Sequence, residues 1–255
     1  MPQLFSYIPS VILGLYPLGS LANHRCFPNT SHVFDESQRM VVRAAVFIQK
    51  DTEIFHSYSR IIWGTTVRLY HLMNTKHFMC RCERCRDPTE FHTYMSAVNC
   101  TRCKGNVIPI NPLSSGSQWE CETCRQVVLG KEVGKIMSLL GSVLKGFDNK
   151  DFHIMYKFLT GKLAGMVPEN NQIAVELKYK IVWILGYEEG FTWKELSIEH
   201  LLTKQRFCKD ILSLLEELRT GQCKIRGLLL YEMYKTKKEI QSQGLKQGQV
   251  STIVE

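Results

Sequence analysis

Charge is what this chain lacks at its start. Residues 1–23 contain no Lys, Arg, Asp, Glu or His. With no basic leader, the apolar opening does not read as a secretory signal. Pro9, Pro17, Ser6, Ser10, Ser20, Tyr7 and Tyr16 dilute it, which argues against a membrane anchor. The expectation is a buried helix that leads into Asn23-His24-Arg25-Cys26-Phe27-Pro28-Asn29. No cysteine precedes Cys26, so the first 25 residues hold no metal finger. His32, His56, His71, His77, His92, His153 and His200 show no ligand spacing and default to structure. No clear 34-residue period marks a helical repeat.

Cysteines are what the chain has, and they are crowded. Of ten, seven fall between Cys80 and Cys124. Cys100, Cys103, Cys121 and Cys124 form two CxxC pairs separated by 17 residues, in which each pair makes one tight knuckle and two knuckles complete a tetrahedron around zinc. Cys80, Cys82 and Cys85 form a second knuckle that needs a fourth donor. Cys26, His24, His77 and His92 are the candidates, and spacing alone does not choose among them. CxxC spacing favours metal over disulfides, and with it a reducing compartment. Cys208 and Cys223 read as packing residues on helical runs.

The formal net charge of +8 invites a nucleic-acid reading, but eight zinc-bound thiolates and two Zn²⁺ would reduce it to about +4. Arg81, Arg84, Arg86, Arg102 and Lys104 then read as a solvated basic rim, and no aromatic–basic interleaving accompanies them. Nucleic acid is not expected as the main partner.

Between residues 31 and 58, β-branched and aromatic residues predict strands at His32–Phe34, Met40–Ile48 and Glu53–Tyr58. Thr65 or Thr66 is placed to cap a helix carrying Val67, Leu69, Tyr70 and Met73. Residues 80–124 lack helical period, and Trp119 is expected to pack over the second cysteine site. After Gly130, helical patterns run to about residue 242. Thr192-Trp193-Lys194-Glu195 reads as a capping box opening a long helix, with Gly221 placed to end it and another helix beginning at Ile225. Residues 243–255 read as a loose tail.

Three strings in order carry a resemblance. Asn23 to Asn29 resembles the NHxCxPN motif of SET-domain protein-lysine methyltransferases. Ile54-Phe55-His56-Ser57-Tyr58 is similar to the motif that ends in their catalytic tyrosine. Phe78-Met79-Cys80-Arg81-Cys82-Glu83-Arg84-Cys85 resembles the post-SET FxCxCxxC. The SMYD subfamily carries a helical domain after the post-SET zinc, and Cys82 to Glu90 followed by a second CxxC pair is similar to its arthropod branch.

The resemblance implies an α+β fold. Residues 1–78 would be the C-terminal part of a SET domain and 79–129 a double zinc module. Residues 130–242 would be a helical bundle like tetratricopeptide repeats, with 243–255 a flexible tail. It implies that Cys26 completes the first zinc site with Cys80, Cys82 and Cys85. Asn23, His24 and Ser20 would contact S-adenosylmethionine (SAM), Phe78 would stack on its adenine, and Tyr58 would sit at the methyl-transfer centre. Both zinc ions would be structural. The partner would be a lysine-containing protein such as a histone, met in cytoplasm or nucleus and away from membranes. Some features depart from the family. No GxG precedes Asn23, so the chain resembles the C-terminal portion of such a protein. Asp51-Thr52-Glu53 stands where a glycine is usual, and Lys76 stands where catalytic relatives place an aromatic. These departures keep a second reading open, a zinc-stabilised interaction scaffold without catalysis. A zinc-ribbon nucleic-acid binder ranks last.

Overall fold

In the computed structural model the residues described are 14–147 and 152–246. Pro17 occupies the first position of α1 (Pro17–Ser20), a single turn that buries nothing. Leu15, Leu18 and Leu21 are exposed, so from residue 14 onward the expected buried helix does not form, and residues 1–13 lie outside the described part. Strand β1 (Asn23–His24) pairs in parallel with β4 (Phe55–His56), while β2 (Thr30–Phe34) and β3 (Met40–Ala44) form an antiparallel hairpin. Its turn is closed by Asp35, whose carboxylate accepts from Ser37 N–H and from Arg39 N–H and Nε.

Two expected strands are shorter than their composition predicted. The third ends at Ala44: Ala45 N–H still donates in register to Asn29 O, but its carbonyl is taken by Gln222 N–H. The fourth keeps only Phe55–His56, held between β1 and the side chains of Asn29 and Thr30. Helix α2 (Thr65–Lys76) is capped by Gly64, not by threonine. Its buried face is Thr65, Arg68, Leu69 and Leu72, at helical spacing, so Tyr70 and Met73 point to solvent. One turn, α3 (Glu83–Arg86), carries the cysteine triplet's last member.

Strands β5 (Val98–Asn99), β6 (Asn106–Pro109), β7 (Trp119–Cys121) and β8 (Val127–Val128) form an antiparallel sheet in that order. Helices follow: α4 (Gly130–Lys145), α5 (Phe152–Phe158) running into a π-helical turn at Leu159–Leu163, α6 (Gln172–Ile184), α7 (Ile198–Glu217) and α8 (Lys224–Lys246). Helix α7 starts later than Thr192: Thr192 and Glu195 close a local turn, and the capping box is Ser197 with His200. Residues 243–246, expected to be tail, continue α8.

One buried cluster runs from Val98, Val107 and Trp119 in the sheet through Leu177, Ile181, Phe207 and Leu215 in the helices, so sheet and bundle share a core. A smaller cluster of Cys26, Leu69, Leu72, Cys80 and Cys85 lies under the first cysteine site. The two parts are stitched by Asn171 Nδ2 donating to Ala97 O at 2.7 Å and by Gly64 N–H donating to Gln172 Oε1 at 2.8 Å. Gly221 adopts φ +57°, and a Cβ there would lie 2.2 Å from Ala45 O. Its work is this close approach of α7–α8 to the hairpin, while the left-handed residue just past α7 is Arg219, at φ +55°.

Candidate functional site

The parallel pairing of β1 with β4 brings Asn23–His24 beside the chain that leads to Tyr58. Asn29 locks the pair, because its amide donates to Glu53 O and accepts from Phe55 N–H, each at 2.8 Å. His24 stands at the centre. Tyr58 N–H donates to its Nδ1 at 2.9 Å, so that nitrogen is unprotonated and Nε2 carries the hydrogen. Nε2 lies 3.2 Å from Cys26 Sγ, an N–H donor aimed at a sulfur ligand. The His24 ring also meets Tyr58 at 5.3 Å and Phe78 at 5.7 Å between centroids, and Tyr58 and Phe78 meet edge to face at 6.5 Å. Tyr58 Oη donates to Ala22 O at 2.5 Å. Three expected site residues therefore share one wall. Asn23 adjoins it on β1, its amide donating to Glu53 Oε1 at 2.6 Å, whereas the Ser20 hydroxyl is turned back to Pro17 O at 2.7 Å.

Cys26 reaches the triplet. The sulfurs of Cys26, Cys80, Cys82 and Cys85 all lie within 4.8 Å of one another, as do those of Cys100, Cys103, Cys121 and Cys124. Tetrahedral zinc with Zn–S near 2.3 Å sets S···S edges of about 3.8 Å. The edges here are 3.4 Å for Cys26–Cys85 and 3.9 Å for Cys26–Cys80 in the first site, and 3.5 Å for Cys103–Cys121 and 3.6 Å for Cys100–Cys124 in the second. Both tetrads fit zinc, and with four thiolates each they leave no open position for a substrate. In the second, Lys104 and Arg125 follow the two knuckles with φ +65° and +61°, so one backbone turn is used twice. Trp119 is buried in the same cluster as Cys100 and Cys121.

Behind the first tetrad lies a network that the charge pattern did not reveal. Arg84, expected on a solvated rim, is wholly buried, and so are Arg68 and Glu90. Glu90 accepts from Arg68 at 2.8 Å, Arg84 at 3.1 Å, Thr65 N–H at 2.9 Å and Ser96 Oγ at 2.6 Å. Burial alone would push its carboxyl up, but the two guanidinium groups outweigh that and hold it at about 2. Arg84 also donates to Ile61 O and Trp63 O, at 2.8 Å each, and Arg68 Nη2 lies 3.6 Å from Cys85 Sγ. Two cations and one anion leave +1, set against the −2 of a zinc tetrathiolate. The network thus fixes the loop after Tyr58 and faces the zinc site with complementary charge.

The Asn-His strand, Tyr58 and Phe78 are thus drawn together beside a Cys₄ knuckle. The SET domain family matches residues 7–59. The SET domain-containing protein SmydA-8, isoform A, of Drosophila melanogaster is 32% identical over 227 residues, covering 88% of this chain and 48% of that protein. Histone-lysine N-methyltransferase ASHR1 of Arabidopsis thaliana is 34% identical over 138 residues, 51% of this chain and 28% of its own. Protein-lysine N-methyltransferase SMYD4 of Mus musculus is 34% identical over 127 residues, 47% and 13%. The chain is similar to SMYD-type SET proteins over most of its length, and it spans about half the length of the SmydA-8 isoforms it matches. Among the described residues no helix is long and apolar enough to cross a membrane.

Proposed function

We propose that this chain supplies the zinc-stapled wall of a SAM-dependent protein-lysine N-methyltransferase, acting in cytoplasm or nucleus on a lysine-bearing protein such as a histone. The observation that carries the reading is the convergence of His24, Tyr58 and Phe78 on the Cys26 knuckle. Asn23 and His24 would hold the cofactor largely through their backbone, since both ring nitrogens of His24 are engaged, and Phe78 offers a ring face for the adenine. Ser20 would join them only after its hydroxyl leaves Pro17 O. Bound SAM would supply an electrophilic methyl on a cationic sulfur. A free lysine with pKa near ~10.4 must lose its proton to attack, and a dry site next to positive charge favours that loss. Tyr58 would orient the amine in line, a contribution of geometry rather than proton transfer. Zinc would do no chemistry.

One observation favours the scaffold reading. The Lys76 ammonium stands 5.7 Å from the centre of the Tyr58 ring, an exposed cation where an incoming lysine would meet repulsion. Purified protein given labelled SAM and histone octamers decides between them. Incorporation into lysine that falls at least ~100-fold in Tyr58→Phe, with zinc content unchanged, supports the enzyme. No incorporation together with no SAM binding by isothermal titration refutes it and leaves the scaffold.

A further inference from the structure

The helical region holds a cluster of aromatic rings around two lysines, far in sequence from the zinc sites: the buried Lys204 ammonium lies 4.5 Å from the centroid of Trp193 and 5.2 Å from that of Tyr187, and the second is Lys235. The loop between α6 and α7 is pinned by Gly186 N–H donating to Phe191 O at 2.7 Å, and Tyr187 and Trp193 flank it with ring centroids 6.1 Å apart, edge to face. Gly186 has φ +108°, and a Cβ there would stand 2.6 Å from the Trp193 ring, so the glycine lets the indole lie against the backbone. Tyr231, on α8, faces the same space. The Lys235 ammonium, one turn beyond Tyr231, lies 4.3 Å from the centroid of Trp193, 4.9 Å from Tyr187 and 5.6 Å from Tyr231.

A polar floor fixes these rings. Lys204, wholly buried, donates to Val182 O at 2.8 Å and Leu185 O at 2.6 Å and forms an ion pair with Glu232 at 2.7 Å. Glu232 in turn accepts from Tyr187 Oη at 2.5 Å. Lys235 differs from Lys204: among the described residues its one hydrogen bond goes to Tyr187 Oη at 3.1 Å. Its other two N–H groups have no protein partner among the described residues and are left to water. Three aromatic walls suit a methylated ammonium, which has fewer or no N–H groups to satisfy and binds through cation–π attraction. Tyr187 is 44% and Tyr231 58% exposed, so the space opens to solvent, and the exposed Glu188 and Glu189 on the loop favour a cation's approach.

We propose that Tyr187, Trp193 and Tyr231 form a binding cage for a methylated ammonium group, with Lys235 of the same chain as its resident occupant, displaced when the ligand enters. The cage uses neither SAM nor Tyr58 and stands apart from methyl transfer. Isothermal titration with a peptide bearing one Nε-trimethyllysine, its unmethylated twin, and choline tests it. Lys235→Gln removes the resident cation, and this variant is expected to bind the trimethylated peptide about tenfold more tightly than the parent and at least tenfold more tightly than the unmethylated peptide. Adding Tyr231→Ala, which removes an exposed wall and leaves the core intact, lowers that affinity about tenfold with an unchanged thermal midpoint. Choline binding as tightly as the peptide assigns the same cage to a free small molecule. No measurable binding of either ligand to Lys235→Gln, equal affinity for both peptides, or indifference to Tyr231→Ala would overturn the proposal.

Discussion

Glu90→Gln removes the anion that holds two buried arginines together. Glutamine keeps the shape and can still accept from Thr65 and Ser96, but it leaves Arg68 and Arg84 facing each other with no carboxylate between them. Breaking a buried charge pair from one side costs about 3–5 kcal/mol. The carboxyl's own titration gives a second figure. Burial pushes it up, Arg68 and Arg84 pull it down further, and it is held at about 2 against about 4.3 for an ordinary glutamate, a difference worth roughly 3 kcal/mol near neutral pH. Because the folded-state value is lowered, this contribution is fully present above about pH 4.3 and fades as pH falls toward 2. The test is urea denaturation of the zinc-loaded protein, wild type against Glu90→Gln, with thiolate protonation common to both. The expected loss is at least about 3 kcal/mol, constant from pH 8 to 5 and shrinking below. A loss under about 1 kcal/mol at pH 7 would refute the reasoning, because it would mean that water or relaxation compensates the arginines.

Gly221→Ala forces a Cβ against Ala45 O at a left-handed backbone position, and a loss of at least about 2 kcal/mol in thermal denaturation is expected; a change below about 0.5 kcal/mol would contradict the close approach. Lys76→Phe removes the cation beside Tyr58, and labelled-SAM transfer is expected to rise by about fivefold, a modest factor because Lys76 is exposed; a fall would show that the ammonium assists the substrate.

Much of the site was legible because its chemistry is written in short strings. Both cysteine tetrads are those the spacing and the resemblance implied, and Tyr58, His24 and Phe78 meet although more than thirty residues separate the first two. The ion network was not legible. Arg84 sits among Arg81 and Arg86 in the sequence, so charge counting placed it in solvent, and only the fold shows that α3 turns it inward toward a carboxylate six residues on. Helix starts were misread for a related reason. Thr65 and Thr192 are good capping residues by type, but Thr65 is drawn into hydrogen bonding with Arg68, and Thr192 closes a turn that precedes the helix. Strand lengths were overestimated where side chains of Asn29 and Thr30, rather than a partner strand, satisfy the backbone.

Native mass spectrometry of Cys26→Ala under mild chelator competition tests most directly whether residue 26 and the triplet at 80–85 share one ion. The wild type is expected to retain two zinc ions and the variant one, held by Cys100, Cys103, Cys121 and Cys124. Two zinc ions retained by Cys26→Ala as firmly as by the wild type would contradict the account.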